Sequence, residues 1–207
     1  NLKMTKLTIQ ILTKNNEKTI EKTLESVKNT DAKLILADLG STDNTKEICR
    51  QNNVFAENFI DLPHDHVRNI LSDKSKTKWQ MRVDPWETIV GGYENTNNLT
   101  KPTYYCSIIE KGQILRKEIR IWDKNIIKHT NPVFETINHK TNSELNLILS
   151  SSGSFEFNYL KSCLEKWKNN KPFDSQPIYY ESCIFLAEGN YEEFLKRSEH
   201  YMFLDNS

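Results

Sequence analysis

Blocks of apolar residues alternate with polar stretches through the first part of the chain. Leu7, Ile9, Ile11 and Leu12 run into Thr13-Lys14-Asn15-Asn16-Glu17, and Ile20, Leu24 and Val27 then recur at the spacing of one helical face. The pattern predicts a strand, a polar loop and a helix. A second apolar run, Leu34 to Ala37, enters the carboxylate Asp38. Gly40, Ser41 and Asp43 follow, then a polar run into Lys46-Glu47-Ile48-Cys49. That order predicts strand, tight loop and capped helix. Gly40 allows the backbone to turn sharply. Asp43 is placed as the N-cap, with Glu47 just inside the helix. A third strand is expected at 54–56, and a third helix from Val67 to Leu71. A fourth strand is expected at 79–83, ending at Asp84. Strands alternating with helices, followed by a hairpin, predict an α/β fold with a doubly wound, mixed but mainly parallel sheet. Asp38 then lies at the carboxyl edge, where open α/β sheets bind ligands.

The pattern changes after residue 90. Gly91 to Asn98 is turn-rich and polar. Residues 104–109 and 114–122 are strand-like and flank Lys111-Gly112, which predicts an antiparallel hairpin. Residues 132–137 close this half. From Phe155 onward the periodicity is helical, with Tyr159, Leu160, Cys163, Leu164 and Trp167 on one face, and a helix pair follows over 178–187 and 191–202. The division expected is a first domain at 1–150 and a helical extension at 151–207. The segment Phe185 to Leu195 resembles the turn of a tetratricopeptide repeat, which would offer a surface to a protein partner. A plain helical hairpin explains the same residues equally well.

The chain has 207 residues, enough for one α/β domain and a small appendage. Its 28 Lys and Arg balance 28 Asp and Glu. This gives no electrostatic case for nucleic acid or an anionic membrane. No apolar run approaches the roughly 20 residues of a transmembrane span, and no signal-peptide pattern precedes the first strand. A cytoplasmic location is therefore expected. The four cysteines are widely spaced with no C-x-x-C, as for reduced core thiols. Cys163 and Cys183 are expected on apolar helix faces.

Leu7 to Val27 and Leu36-Ala37-Asp38-Leu39-Gly40-Ser41-Thr42-Asp43-Asn44-Thr45 together resemble the start of the inverting nucleotide-sugar glycosyltransferases of family 2, which have the A-type fold. Three later segments extend the resemblance over roughly residues 6–138. His64-Asp65-His66-Val67-Arg68-Asn69 is similar to a helix start carrying Arg-Asn. Trp79 to Glu87 is similar to the metal-binding strand end. Arg116 to Trp122 and Pro132-Val133-Phe134-Glu135 are similar to the late strand and the late glutamate.

The resemblance implies a UDP-sugar donor and a glycan, protein or other acceptor. Asp38 would accept a hydrogen bond from the pyrimidine imide. Thr13 and Asn15 would line base and ribose, with Gly40 and Ser41 forming the loop beside them. Arg68 would sit near the diphosphate, or alternatively make a surface ion pair with Asp65. Asn69 would buttress the loop. Asp84 would reach the ribose or a metal. Glu135 is the first candidate for the general base and Glu87 the second; either carboxylate could instead pair with Arg116 or Arg120. Three positions depart from the family pattern. Asn16 replaces an acidic residue, while Trp86 and Phe134 replace an aspartate and a histidine of the metal site. Neither aromatic side chain can donate a ligand to Mn²⁺ or Mg²⁺. Three readings follow: metal held by Asp84 and Glu87 in altered geometry, metal-free transfer with Arg68, Lys14 or Arg82 neutralising the diphosphate, or a binding fold without turnover.

Overall fold

A computed structural model describes residues 6–60, 62–130, 136–137, 139, 143–152, 157–170, 174 and 176–205. Two compact units divide the chain: Asn1–Asn131 with Glu135–Ser154, and Pro132–Phe134 with Phe155–Ser207. No helix among the described residues is long and apolar enough to cross a membrane.

The first unit begins with β1 (Leu7–Thr13), α1 (Ile20–Lys28), β2 (Lys33–Asp38), α2 (Thr45–Gln51), β3 (Ala56–Asn58), α3 (His64–Lys74) and β4 (Trp79–Arg82). It continues with β5 (Glu87–Gly91), a 3-10 helix at Tyr93–Asn98, β6 (Thr103–Glu110), β7 (Gln113–Asp123), β8 (His129–Thr130), β9 (Thr136–Ile137) and β10 (Glu144–Ser151). Eight strands form one sheet in the order β3-β2-β1-β4-β7-β6-β10-β5, and β8 pairs with β9 separately. The four strands from β3 to β4 are mutually parallel. β7 then runs antiparallel to β4 and β6, β10 runs parallel to β6, and β5 runs antiparallel to β10. The sheet is therefore mixed, and its parallel half is the half read from the strand-helix alternation.

β1 is buried along its whole length, as a central parallel strand covered on both faces must be. Ile20, Leu24 and Val27 of α1 are buried against this sheet. A polar layer fixes α3 on the other elements. Thr8 Oγ1 lies 2.8 Å from Ser75 Oγ and 2.7 Å from Thr77 Oγ1, and Gln10 Nε2 donates to Ser72 Oγ and Gln80 Oε1, each at 3.0 Å. Apart from Gln10 Oε1, which is buried with no hydrogen-bond partner among the described residues, these polar groups bond to one another and so orient the helix.

Local chemistry sets the turns. Lys111 (φ 49°) and Gly112 (φ 79°) both adopt positive φ between β6 and β7, as a two-residue type I′ turn requires. Helix α2 ends on Asn53 at φ 58°. There the Val54 N–H donates to Cys49 O and the Asn53 N–H to Arg50 O, the bond pair of a Schellman cap.

Several boundaries differ from the sequence expectation. β3 lies two residues later than 54–56, and α3 starts three residues before Val67. The N-cap of α2 is Asn44, one residue after the expected Asp43, whose side chain still accepts the N–H of Thr45 in the first turn. The polar run at 91–98 holds the end of β5 and a 3-10 helix, and β10 has no counterpart among the predicted elements. The late-glutamate segment, including Phe134 and Glu135, lies outside the described residues.

The second unit contains α4 (Phe157–Asn170), α5 (Gln176–Ala187) and α6 (Tyr191–Asp205). Leu164, Trp167 and Ile184 form its core, with Cys163 and Tyr180 packed alongside. Trp167 Nε1 donates to Asp174 Oδ2 at 2.9 Å, which satisfies the buried indole. Gly189, at φ 75°, ends α5 with a second Schellman cap. Cys183 is exposed, contrary to its expected place in an apolar face; Cys49 and Cys106 are buried, and none of the four thiols is in a disulfide. Burial pushes Cys49 up to about 11 and Cys106 up to about 12, so both are held as neutral core groups.

Candidate functional site

The parallel strands bring Thr13, Asp38 and Asn58 into line at one sheet edge, since Thr13 is opposite Asp38 and Asp38 opposite Asn58. Two loops leave this edge, one after β1 and one after β2, and they are laced together. Asn16 Oδ1 accepts from Thr13 Oγ1 at 2.8 Å and from the Lys14 N–H at 2.9 Å. Asn15 takes φ 52°, a conformation Asn tolerates better than most residues. Its N–H donates to Ser41 Oγ at 3.0 Å, and its Oδ1 accepts from the Thr42 N–H at 2.8 Å. Asn16 N–H donates to Thr45 Oγ1 at 2.7 Å. Glu17 N–H donates to Asp43 Oδ2 at 3.1 Å, and Glu17 Oε2 accepts from the Asn44 N–H at 3.0 Å. Asp43 thus bridges the loops, and its Oδ1 also accepts from the Thr45 N–H at 3.0 Å. Partial burial opposes its ionisation, but the bonds from Thr45 and Glu17 outweigh that and hold the carboxyl below its ordinary value.

Asp38 sits beneath this loop pair, fully buried. Its Oδ2 accepts from the N–H groups of Gly40 and Ser41, both at 3.0 Å. Lys46 Nζ, half exposed, reaches the same oxygen at 3.2 Å. Gly40 turns at φ 94° to make this possible. The residues expected to hold a nucleotide (Thr13, Asn15, Asp38, Gly40 and Ser41) therefore do converge on one loop cluster. Within it, Asp38 organises the loop backbone, and Lys46, which the sequence reading did not single out, covers its carboxylate.

The second cluster lies at the end of β4. Arg82 and Asp84 are two apart, so an extended backbone puts them on one face. Arg82 Nε and Nη2 donate to Asp84 Oδ1 and Oδ2, each at 2.8 Å. Met81 pairs with Ile121 of β7, and this register carries Arg120 to the end of β4. Arg120 Nη1 donates to Asp84 Oδ2 at 3.2 Å and Nη2 to Glu87 Oε1 at 2.7 Å. Glu118 Oε2 also pairs with Arg120 at 2.9 Å, and Glu118 Oε1 with Arg116. From α3, Arg68 Nη1 donates to the Gln10 carbonyl at 2.8 Å, with Nη2 4.0 Å from Asp84 Oδ1. The alternation of Arg116, Glu118 and Arg120 along β7 is the sequence signal for this network.

The charges dictate the ionisation. Burial alone would raise the Asp84 pKa, but the guanidinium groups of Arg82, Arg120 and Arg68 outweigh it and hold the carboxyl well below the usual range. Glu87 is pushed up to about 7 by burial and by the Asp84 charge, against the pull of Arg120.

Three expectations change here. Arg68 is buried rather than on the surface, and it donates to the Gln10 carbonyl and lies 4.0 Å from Asp84. Glu87 is fully buried, with Oε2 accepting the Asp84 N–H at 2.9 Å and Oε1 paired with Arg120, the ion pair weighed against the role of base. Asp84 and Glu87 do not form a metal pair. Both Asp84 oxygens and both Glu87 oxygens face N–H donors, whereas Mn²⁺ or Mg²⁺ needs several ligand oxygens aimed at one point. A divalent ion ~5 Å from one guanidinium is repelled by about 7 kcal/mol at an effective dielectric of ~20, and three guanidinium groups approach Asp84. Among the described residues no group of three or more His, Cys, Asp or Glu is arranged to hold a metal. Asn69 ties α3 to β8: its amide exchanges two hydrogen bonds with the His129 backbone, at 3.0 and 2.9 Å. Trp86 is half-buried.

Residues 8–69, which span both laced loops and the start of α3, match the family model "Glycosyl transferase family 2". Among solved structures, S. aureus TarS superposes with a TM-score of 0.53 at 12% identity, over 79% of this chain and 40% of TarS. The fold is the one that TarS has. A second TarS structure, residues 1–349 in complex with UDP-GlcNAc, superposes with a TM-score of 0.51 at 13% identity, over 93% of this chain and 72% of that one. The chain thus spans less than half the length of the longer TarS structure. No curated protein matches the sequence significantly.

Proposed function

We propose that the protein is an inverting glycosyltransferase that takes a sugar from a UDP-activated donor. The observation that carries this reading is the laced loop pair at the carboxyl edge of β1 and β2, which lies within the segment matched by the family model. The loops present Thr13, Asn15, Gly40 and Ser41 around Asp38 as a rigid frame for a nucleoside. In the transfer, the acceptor oxygen attacks the anomeric carbon and the bond from that carbon to the diphosphate oxygen breaks. The bonding electrons leave with UDP, and the acceptor proton passes to a base. Glu135 is the carboxylate proposed for that base, since Glu87 is buried in the arginine network. The buried network around Asp84 favours a second reading, a glycosyltransferase fold that binds nucleotide-sugar, a glycan or a protein partner without turnover.

One experiment separates them. Purified protein is incubated with UDP-GlcNAc, UDP-glucose and UDP-galactose, with and without simple sugar acceptors, and released UDP is measured. Release above the protein-free rate supports the transferase. UDP binding without release supports the binding fold, and absence of both binding and release defeats the transferase and the nucleotide-sugar form of the binding fold.

A further inference from the structure

We infer that Arg82, clamped by Asp84, is the cation that faces the donor's diphosphate, in the place where a divalent ion would otherwise stand. The inference rests on the reading of the chain as a UDP-sugar-binding protein. Four observations support it.

First, β4 lies beside β1, and β1 beside β2, all parallel. Arg82 is level with Gln10 and Asp38 with Thr13, so their backbones are about 10 Å apart across two strands and about 10 Å apart along them, roughly 14 Å in all. The long Arg82 side chain and a nucleoside diphosphate together can span that separation. Second, the three guanidinium groups around Asp84 differ in access. The side chains of Arg68 and Arg120 are 1% and 0% exposed, while that of Arg82 is 18% exposed. Arg82 is the one that solvent and ligand reach.

Third, Asp84 fixes Arg82 through Nε and Nη2. A planar guanidinium held by a carboxylate is pre-organised, so little rotamer freedom is lost when phosphate oxygens arrive. Arg120 and Arg68 hold Asp84 in turn, which makes Asp84 a positioning residue with its charge already offset. Fourth, the chemistry of the ligand set favours an anion over a cation. Asp84 and Glu87 offer their oxygens to N–H donors, and Trp86 stands where a further carboxylate would be needed. Charge building on the departing phosphate oxygen would be met by a fixed guanidinium.

The test is calorimetric titration of UDP into the full chain in EDTA and again in Mn²⁺, for wild type, Arg82→Gln and Arg82→Lys. Uridine binding, read by ligand-detected NMR, is measured beside each, and thermal melting checks the fold. The expected result is UDP binding in wild type that is the same in EDTA and Mn²⁺. Arg82→Gln should then weaken UDP at least tenfold and leave uridine unchanged. Arg82→Lys should weaken UDP several-fold, because the ammonium lacks the planar fork, and it carries the test if Arg82→Gln fails to fold. UDP binding that appears only with Mn²⁺ overturns the inference. So does full UDP affinity in the variants, or loss of uridine together with UDP. If wild type binds neither UDP nor uridine, the functional reading itself fails, which is a distinct outcome.

Discussion

Asp38 illustrates how a residue in a matched motif acquires a structural duty. Its carboxylate accepts the Gly40 and Ser41 N–H groups while buried, with Lys46 at the open side. Hydrogen bonds to a charged acceptor contribute about 1.5–3 kcal/mol each when breaking them leaves a partner unsatisfied. Asp38→Ala is therefore expected to lower unfolding stability by about 2–3 kcal/mol, measured by urea denaturation. An unchanged midpoint would mean that the loop N–H groups find other acceptors. Asn16 shows the converse. It replaces a carboxylate of the family pattern, yet its Oδ1 takes the Thr13 hydroxyl and the Lys14 N–H, bonds that an uncharged amide oxygen makes without adding a negative charge to the loop.

Among the elements, β5 and β10 are the pair that periodicity alone did not resolve. Leu145, Leu147 and Leu149 fall on one face of β10, and Leu147 and Leu149 are buried, but Ile148 between them interrupts the polar alternation. A short apolar run with no flanking helix does not say which strand it joins. Gly92 is what lets the turn after β5 pass close to β10. It has φ 77°, and a Cβ there would collide with the Asn146 carbonyl and lie 2.9 Å from Leu147 Cα. Gly92→Ala is expected to cost at least about 2 kcal/mol from backbone strain and displaced strand pairing. Thermal melting with far-UV circular dichroism reads this, and an unaltered melting temperature would rule out the close approach.

At the scale of the whole molecule, the buried charges make stability depend on pH in two opposed ways. Asp84 has its pKa depressed in the folded state, so its contribution is present at neutral pH and is lost in strong acid. Glu87 is shifted upward, from 4.5 to about 7. Between these values the folded protein holds a proton that the unfolded chain has released. Stability therefore falls as pH rises through that window. Glu87→Gln cannot titrate, and it should remove this part of the decline. Urea midpoints at pH 5 and pH 7.5 check it: wild type should lose more stability between them than the variant. Equal losses would show that Arg120 keeps Glu87 ionised throughout.

The sequence by itself determined the strand-loop-helix units from β1 to β4, the two-residue hairpin turn at Lys111-Gly112 and the polar loops after β1 and β2. Each of these depends on neighbours within a few residues: side-chain period, turn propensity and the positive φ that Gly and Asn accept. It also brought Thr13, Asn15, Asp38, Gly40 and Ser41 to one edge, because parallel strands align their carboxyl ends. Only the tertiary structure decided the mixed half of the sheet and what the charged residues at β4 do. Arg68, Arg82 and Arg120 come from α3, β4 and β7, far apart along the chain, and sheet register with helix packing draws them onto Asp84. No local pattern can express that convergence, since the partners that cancel a buried charge are chosen by the fold and not by adjacency.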